Sequence, residues 1–238
     1  MFPISDANPT RRLPILTYVL IAINVLVFLW ELTLTQAQLD QAFLNLAVVP
    51  ANVTRHFFAP ETVFDIVRSM FLHGGWDHIL GNMLYLYLFG DNVEDRLGKI
   101  GFLILYFVSG FAAAFAQVLI DPTSQAPLIG ASGAIAGVLG GYLLLYPSVK
   151  VRGIVPLGGI SSIAEWPAFI VLGMWFVLQL VNGFASLGGD ASYGGGVAFF
   201  AHIGGFIVGL VITFIITRFV PQPPADQRVN MLYRRAQR

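Results

Sequence analysis

Few side chains in this sequence could do chemistry at depth in an apolar chain. They fall in three stretches: His73-Gly-Gly-Trp-Asp-His78-Ile-Leu-Gly-Asn82, Gly130-Ala-Ser132-Gly133, and Ala201-His202-Ile-Gly-Gly205-Phe-Ile-Val-Gly209. Ser132 opens an apolar run and stands at a helix N-terminus, where unpaired N–H groups and the helix dipole favour a developing negative charge. Gly130 and Gly133 flank it without bulk. A serine hydroxyl needs a base to become a nucleophile, and His202 is the candidate. No Asp or Glu lies in the runs that carry these two residues, so the pattern predicts a Ser–His dyad rather than a triad. His78 and Asn82 are four apart and share a helix face. Both can donate hydrogen bonds, which suits them to stabilise the oxyanion of an acyl-transfer intermediate. His73, in a Gly-Gly segment, is read as a structural hydrogen-bonding residue, and His56 as a solvated loop residue. Each residue also has a plainer reading. Serine packs helices, and His202, His78 and Asn82 can serve as polar glue between them.

The elements that must hold these residues are membrane helices. The chain has 238 residues, 56% hydrophobic and 11% charged; a water-soluble domain usually carries about twice that charged fraction. Several runs approach or exceed the ~18–20 apolar residues that cross a bilayer. Spans are expected at about 15–34, 78–93, 100–120, 132–146, 165–185 and 197–219. The fold class is therefore an all-α polytopic membrane protein, a six-helix bundle. Its domains are an N-terminal segment (1–14), a catalytic domain (15–219) and a basic tail (220–238). Within the long first loop, Val63, Phe64, Val67, Met70 and Phe71 recur at helical spacing, as in a helix lying in the membrane interface. Gly- and Pro-rich loops are expected at 147–164 and 187–196.

The fourth run, Ser132 to Tyr146, spans only ~22 Å at 1.5 Å per residue, short of the ~30 Å hydrocarbon core. Ser132 should then begin its helix below the membrane surface, and the preceding loop should line a wet cavity. Gly133, Gly137 and Gly141 recur along the fourth span, and Ala201, Gly205 and Gly209 along the sixth. Small residues at that spacing let helix backbones approach closely. With a cytoplasmic N-terminus, eleven Lys and Arg residues lie inside and only Arg55 and Arg68 outside, so both ends are cytoplasmic and the Ser132 cavity opens outward.

Other chemistries are poorly served. There is no cysteine, which removes disulfides, iron–sulfur sites and thiol nucleophiles, and zero net charge implies no nucleic-acid partner. The G-x-S-x-G pattern is incomplete at Ala134 and lacks its preceding strand. A zinc protease using His73, His78 and His202 would lack the H-E-x-x-H motif. No metal or cofactor is expected. A transporter would be expected to show inverted repeats or buried carboxylates in these spans, and neither is evident.

Taken together, the three stretches resemble the rhomboid intramembrane serine proteases of bacterial type, with Glu94-Asp95-Arg96-Leu97-Gly98 similar to the family's segment after the second span. The resemblance implies Ser132 as nucleophile and His202 as general base. It implies His78, Asn82 and the Ser132 N–H as the oxyanion hole, with His73, Gly130, Gly133, Gly205 and Gly209 shaping the site. It also implies single-pass transmembrane proteins as substrates, the lipid bilayer as surroundings and a bacterial inner membrane as location. A catalytically inactive binding or quality-control relative is the alternative. Many bacterial members stack a tyrosine on the histidine from the fourth residue after the serine. That position is Ala136 here, so other side chains, such as Phe199 or Phe206, must hold the ring.

Overall fold

The computed structural model describes residues 2–55, 59–157, 160–187 and 197–220. His56, most of the 187–196 loop and the tail after Val220 lie outside the described residues. The chain is mainly helical: α1 (Ile15–Glu31), α2 (Gln36–Leu46), α3 (Pro50–Arg55), α4 (Pro60–Ser69), α5 (Trp76–Ile120), α6 (Ser132–Leu145), α7 (Ala168–Ser186) and α8 (Phe199–Phe219). By length and composition α5, α7 and α8 could each cross a membrane, and α1 and α6 are shorter apolar helices.

The 45 residues of α5 are two helical arms joined at Gly98, whose φ of 74° interrupts the helix. A residue with a Cβ adopts that conformation only with strain. The arms run in opposite directions. His78, early in the first arm, and Ala113, late in the second, both lie against residues 130–133. At the other end, Glu94 in the first arm reaches the start of α1, and Gly101 in the second reaches Ile216 near the end of α8. The apolar runs expected at 78–93 and 100–120 fall on these two arms.

α6 is the centre of the molecule, buried at every position from Gly133 to Tyr142. Its glycines account for that burial. A Cβ at Gly133 would strike Ala113, one at Gly137 would strike Ser109, and one at Gly141 would sit 2.6 Å from the Thr213 hydroxyl. On the α8 side, a Cβ at Gly205 would collide with the Gly133 carbonyl, and one at Gly209 with the Gly137 backbone. The spacing read as a close-packing ridge in the sequence is thus a backbone-to-backbone contact between α6 and α8. Gly133 is level with Ala113, seven residues from the end of α5. Ser132 therefore starts its helix roughly 10 Å below that end.

The loop before Ser132 is tied down by backbone bonds. Leu128 N–H donates to the Val48 carbonyl at 2.7 Å and Gly130 N–H to the Ser69 carbonyl at 2.9 Å. Non-helical backbone at depth needs such partners. In α4, Ile66 and the adjoining Met70 are buried, while Val63 and Phe64 are exposed.

At the end away from Ser132 the structure corrects the sequence reading. A three-stranded antiparallel sheet, β1 (Phe2–Asp6), β2 (Lys150–Leu157) and β3 (Ile160–Pro167), replaces part of the N-terminal segment and the Gly/Pro-rich loop, so the chain is not wholly α. β2 and β3 pair in register from Lys150↔Pro167 to Leu157↔Ile160. Val151 is buried on one face and Arg152, on the other, meets Glu165 at 2.7 Å. This is the alternation of a half-buried strand. The Glu94 carboxylate accepts from the N–H groups of Leu16 and Thr17, at 3.0 and 2.7 Å, and so caps α1. Arg11 pairs with Asp95 at 2.7 Å, and Arg96 donates to the Val220 carbonyl at 2.9 Å. Three consecutive residues thus join the first arm of α5 to the start of α1 and the end of α8.

Candidate active site

Ser132 Oγ lies 2.8 Å from His202 Nε2, a hydrogen bond between the first residue of α6 and the fourth residue of α8. The Gly133–Gly205 contact one residue on brings the two backbones close enough for these short reaches. Both side chains border a cavity of about 610 Å³ that His78, Asn82, Tyr85 and Trp175 also line.

Two hydrogen-bond donors converge on the Ser132 side of that cavity. Gly130 has φ 117°, and a Cβ there would overlap the His78 imidazole. The backbone can pass beneath that ring only as glycine. His78 Nδ1 accepts from Gly74 N–H at 3.4 Å, which leaves Nε2 as the N–H of the neutral ring, above Gly130. Asn82 Nδ2 is 3.6 Å from the same point. One of its hydrogens goes to His73 Nε2 at 3.0 Å, since the other ring nitrogen of His73 donates to the Phe71 carbonyl at 3.3 Å. The second hydrogen of the amide is left for the cavity. His73 is itself buried, with its backbone N–H donating to Glu31 at 3.0 Å.

All five polar residues singled out in the sequence therefore meet in one place: Ser132, His202, His78 and Asn82 around the cavity, and His73 behind Asn82. Among the described residues, no three His, Asp or Glu side chains group to hold a metal ion.

Two partners of His202 were missed in the sequence. Trp175 lies over the imidazole, ring centroids 5.8 Å apart and planes 36° from parallel. Gln179 Oε1 lies 2.8 Å from His202 Nδ1. The ring support assigned to Phe199 or Phe206 comes from Trp175; Phe206 acts behind it, 6.1 Å from Trp175 and stacked on Phe176 at 4.5 Å. A search for carboxylates passes over an amide. The available signal is that Gln179 is a polar residue in an apolar helix, four residues from a tryptophan on the same face.

With nucleophile, base and two donors at one cavity, the arrangement suits acyl transfer. The Rhomboid domain family model matches residues 60–219, which hold all of these residues. The chain is similar to Rhomboid-like protein 11, chloroplastic, of Arabidopsis thaliana, 30% identical over 174 residues, covering 70% of this chain and 57% of the relative. It is 29% identical over 211 residues to Rhomboid protein 1, mitochondrial, of Saccharomyces cerevisiae, covering 86% of this chain and 54% of the relative. It is 27% identical over 211 residues to Rhomboid protease AarA of Providencia stuartii, covering 83% and 71%. The chain thus spans little more than half the length of the first two. A helical chain built on apolar spans, with a family match over two thirds of its length, is an integral membrane protein of the rhomboid family.

Proposed function

We propose that this protein is an intramembrane serine protease that hydrolyses peptide bonds in or near the transmembrane segments of single-pass membrane proteins. The observation that carries the reading is the 2.8 Å bond between Ser132 Oγ and His202 Nε2 at a cavity edge with two further donors. His202 takes the Ser132 proton as Oγ attacks the scissile carbonyl. The tetrahedral oxyanion is held by His78 Nε2–H, the free Asn82 amide N–H and the N–H of Ser132. His202 then returns the proton to the leaving amine, and water entering the cavity hydrolyses the acyl-enzyme.

The membrane arrangement belongs to the same proposal. Six apolar segments form the bundle within the bilayer: α1, the two arms of α5, α7 and α8, with the shorter α6 enclosed among them and starting below the outer surface. The sheet and the Glu94–Arg96 cluster mark the cytoplasmic side, where Arg11, Arg12, Lys99, Lys150, Arg152 and Arg218 gather. The catalytic unit is residues 15–219, both chain ends are cytoplasmic, and the cavity opens outward. A bacterial inner membrane is the proposed location. No cofactor is invoked.

The test is cleavage of a single-pass transmembrane substrate by purified protein in detergent or liposomes. Ser132→Ala should abolish cleavage and leave the melting temperature within a few degrees. Unchanged cleavage would remove Ser132 from the mechanism, and a wild-type protein that binds substrate without cutting it would favour an inactive relative.

A further inference from the structure

We propose that Gln179 is a positioning residue for His202: its side-chain carbonyl holds the imidazole in the one tautomer that can accept the Ser132 proton. The proposal rests on the protease reading above.

The argument is one of hydrogen-bond accounting. Gln179 Nε2 donates to the Trp175 carbonyl one turn earlier in α7, at 3.4 Å. That bond turns the amide nitrogen to its own helix and the oxygen, Oε1, to His202 Nδ1 at 2.8 Å. A carbonyl oxygen only accepts, so Nδ1 must carry the hydrogen. A neutral imidazole has one N–H, which leaves Nε2 with a lone pair facing Ser132 Oγ at 2.8 Å. The chain of donors then runs one way, from the Ser132 hydroxyl to Nε2 and from Nδ1–H to Gln179.

Burial makes the bond more than incidental. Gln179 is only 9% exposed in an otherwise apolar helix, a position where an unpaired amide would be costly. Trp175 lies against the ring from the same face of α7. One helix thus supplies both an aromatic neighbour to the ring and the acceptor that fixes its rotation. Unlike a carboxylate, the amide brings no charge into the site. When Nε2 gains the serine proton, the Nδ1–H bond to Oε1 becomes charge-assisted and strengthens. In this way a neutral residue supplies part of what the third member of a Ser–His–Asp triad supplies.

Two variants and one spectroscopic measurement test this. Gln179→Met keeps the length and removes the acceptor. It should lower kcat by about 10- to 100-fold with little change in KM, the range seen when the partners of metal-bound histidines are lost. Gln179→Glu keeps an acceptor, should retain most of kcat, and should move the acid limb of the pH–rate profile upward. Equal losses in both variants with no movement of the limb would overturn the proposal. Histidine-selective ¹⁵N NMR of the wild-type protein, with His202 assigned by its loss in His202→Ala, reads the tautomer directly. The expected result is a protonated Nδ1 and an unprotonated Nε2. A protonated Nε2 at neutral pH would overturn the assignment. The spectrum needs no turnover, so it decides the role of Gln179 separately from the question of proteolysis.

Discussion

Gly130 shows how tightly the site is drawn. It has φ 117° and sits under the His78 ring, with Asn82 Nδ2 close by. Alanine there meets two costs: a backbone conformation that a side chain resists, and a methyl group inside the imidazole. Gly130→Ala should displace His78, lower kcat by about 10²-fold as when one oxyanion donor is lost, and cost roughly 1–3 kcal/mol of stability. Steady-state kinetics and a detergent melt would check both; wild-type kinetics would mean that His78 does not work from this position. At this scale the sequence was legible where the residue type itself suggested chemistry. Ser132, His202, His78, Asn82 and His73 stand out in a chain with so few polar groups. Gln179 and Trp175 did not, because an amide or an indole in an apolar helix is ordinarily read as packing or as an interface anchor.

Among the elements, α6 is the one that others are fitted around. Its fourteen residues are too few to cross the hydrocarbon core and so place Ser132 below the end of α5. Its glycines let α8 approach to backbone contact and let the Ala113 and Ser109 side chains of α5 lie against its backbone. Gly209→Leu would drive a side chain into the Gly137 backbone, a turn away from Gly205 and two from His202. The expected cost is about 3 kcal/mol or more, beyond the usual range for overpacking, because backbone rather than a side chain must yield. It would appear as a lower melting temperature in detergent, and an unchanged melt would show that the helices are not in contact there. The length of α6 and its small-residue spacing were both readable from sequence. The sheet was not. Glycines and prolines between 147 and 164 suggested a loop, although Val151, Arg152, Ile154 and Val155 suit a strand and Gly-Gly at 158–159 is a dipeptide common in hairpin turns. The third strand comes from residues 2–6, some 150 positions away, which no local pattern signals.

Over the whole molecule, the two ends have different tasks. The Ser132 end holds the cavity, while the opposite end ties the chain together through the sheet, Glu94–Arg96 and Asp6. The Asp6 carboxylate accepts from the Tyr142 hydroxyl at 2.5 Å, at the far end of α6, and from Asn92 at 3.3 Å. Burial pushes the Asp6 carboxyl up to about 6, against the opposing effect of the Tyr142 bond. A carboxyl raised by folding binds its proton more tightly in the native state. Its contribution is therefore full below pH 4 and is lost as pH rises through about 6. Wild-type protein should lose more thermal stability between pH 4.5 and 7.5 than Asp6→Asn, by at most about 3 kcal/mol. Parallel pH dependence in the two proteins would mean that Asp6 titrates as a solvated acid. The orientation proposed for the chain rests on a count of Lys and Arg between apolar runs, which needs the sequence alone. The convergence of β1, α6 and the first arm of α5 on Asp6 was not, because it depends on contacts between distant segments.

The central claim is that a hydroxyl below the membrane surface is activated by the imidazole beside it. The most direct measurement is covalent labelling of the purified wild-type protein by a fluorophosphonate, with the adduct mapped by mass spectrometry. The account predicts one adduct, on Ser132, that disappears in His202→Ala while the variant keeps its melting temperature. An unlabelled Ser132, or a Ser132 labelled equally well without His202, would contradict it.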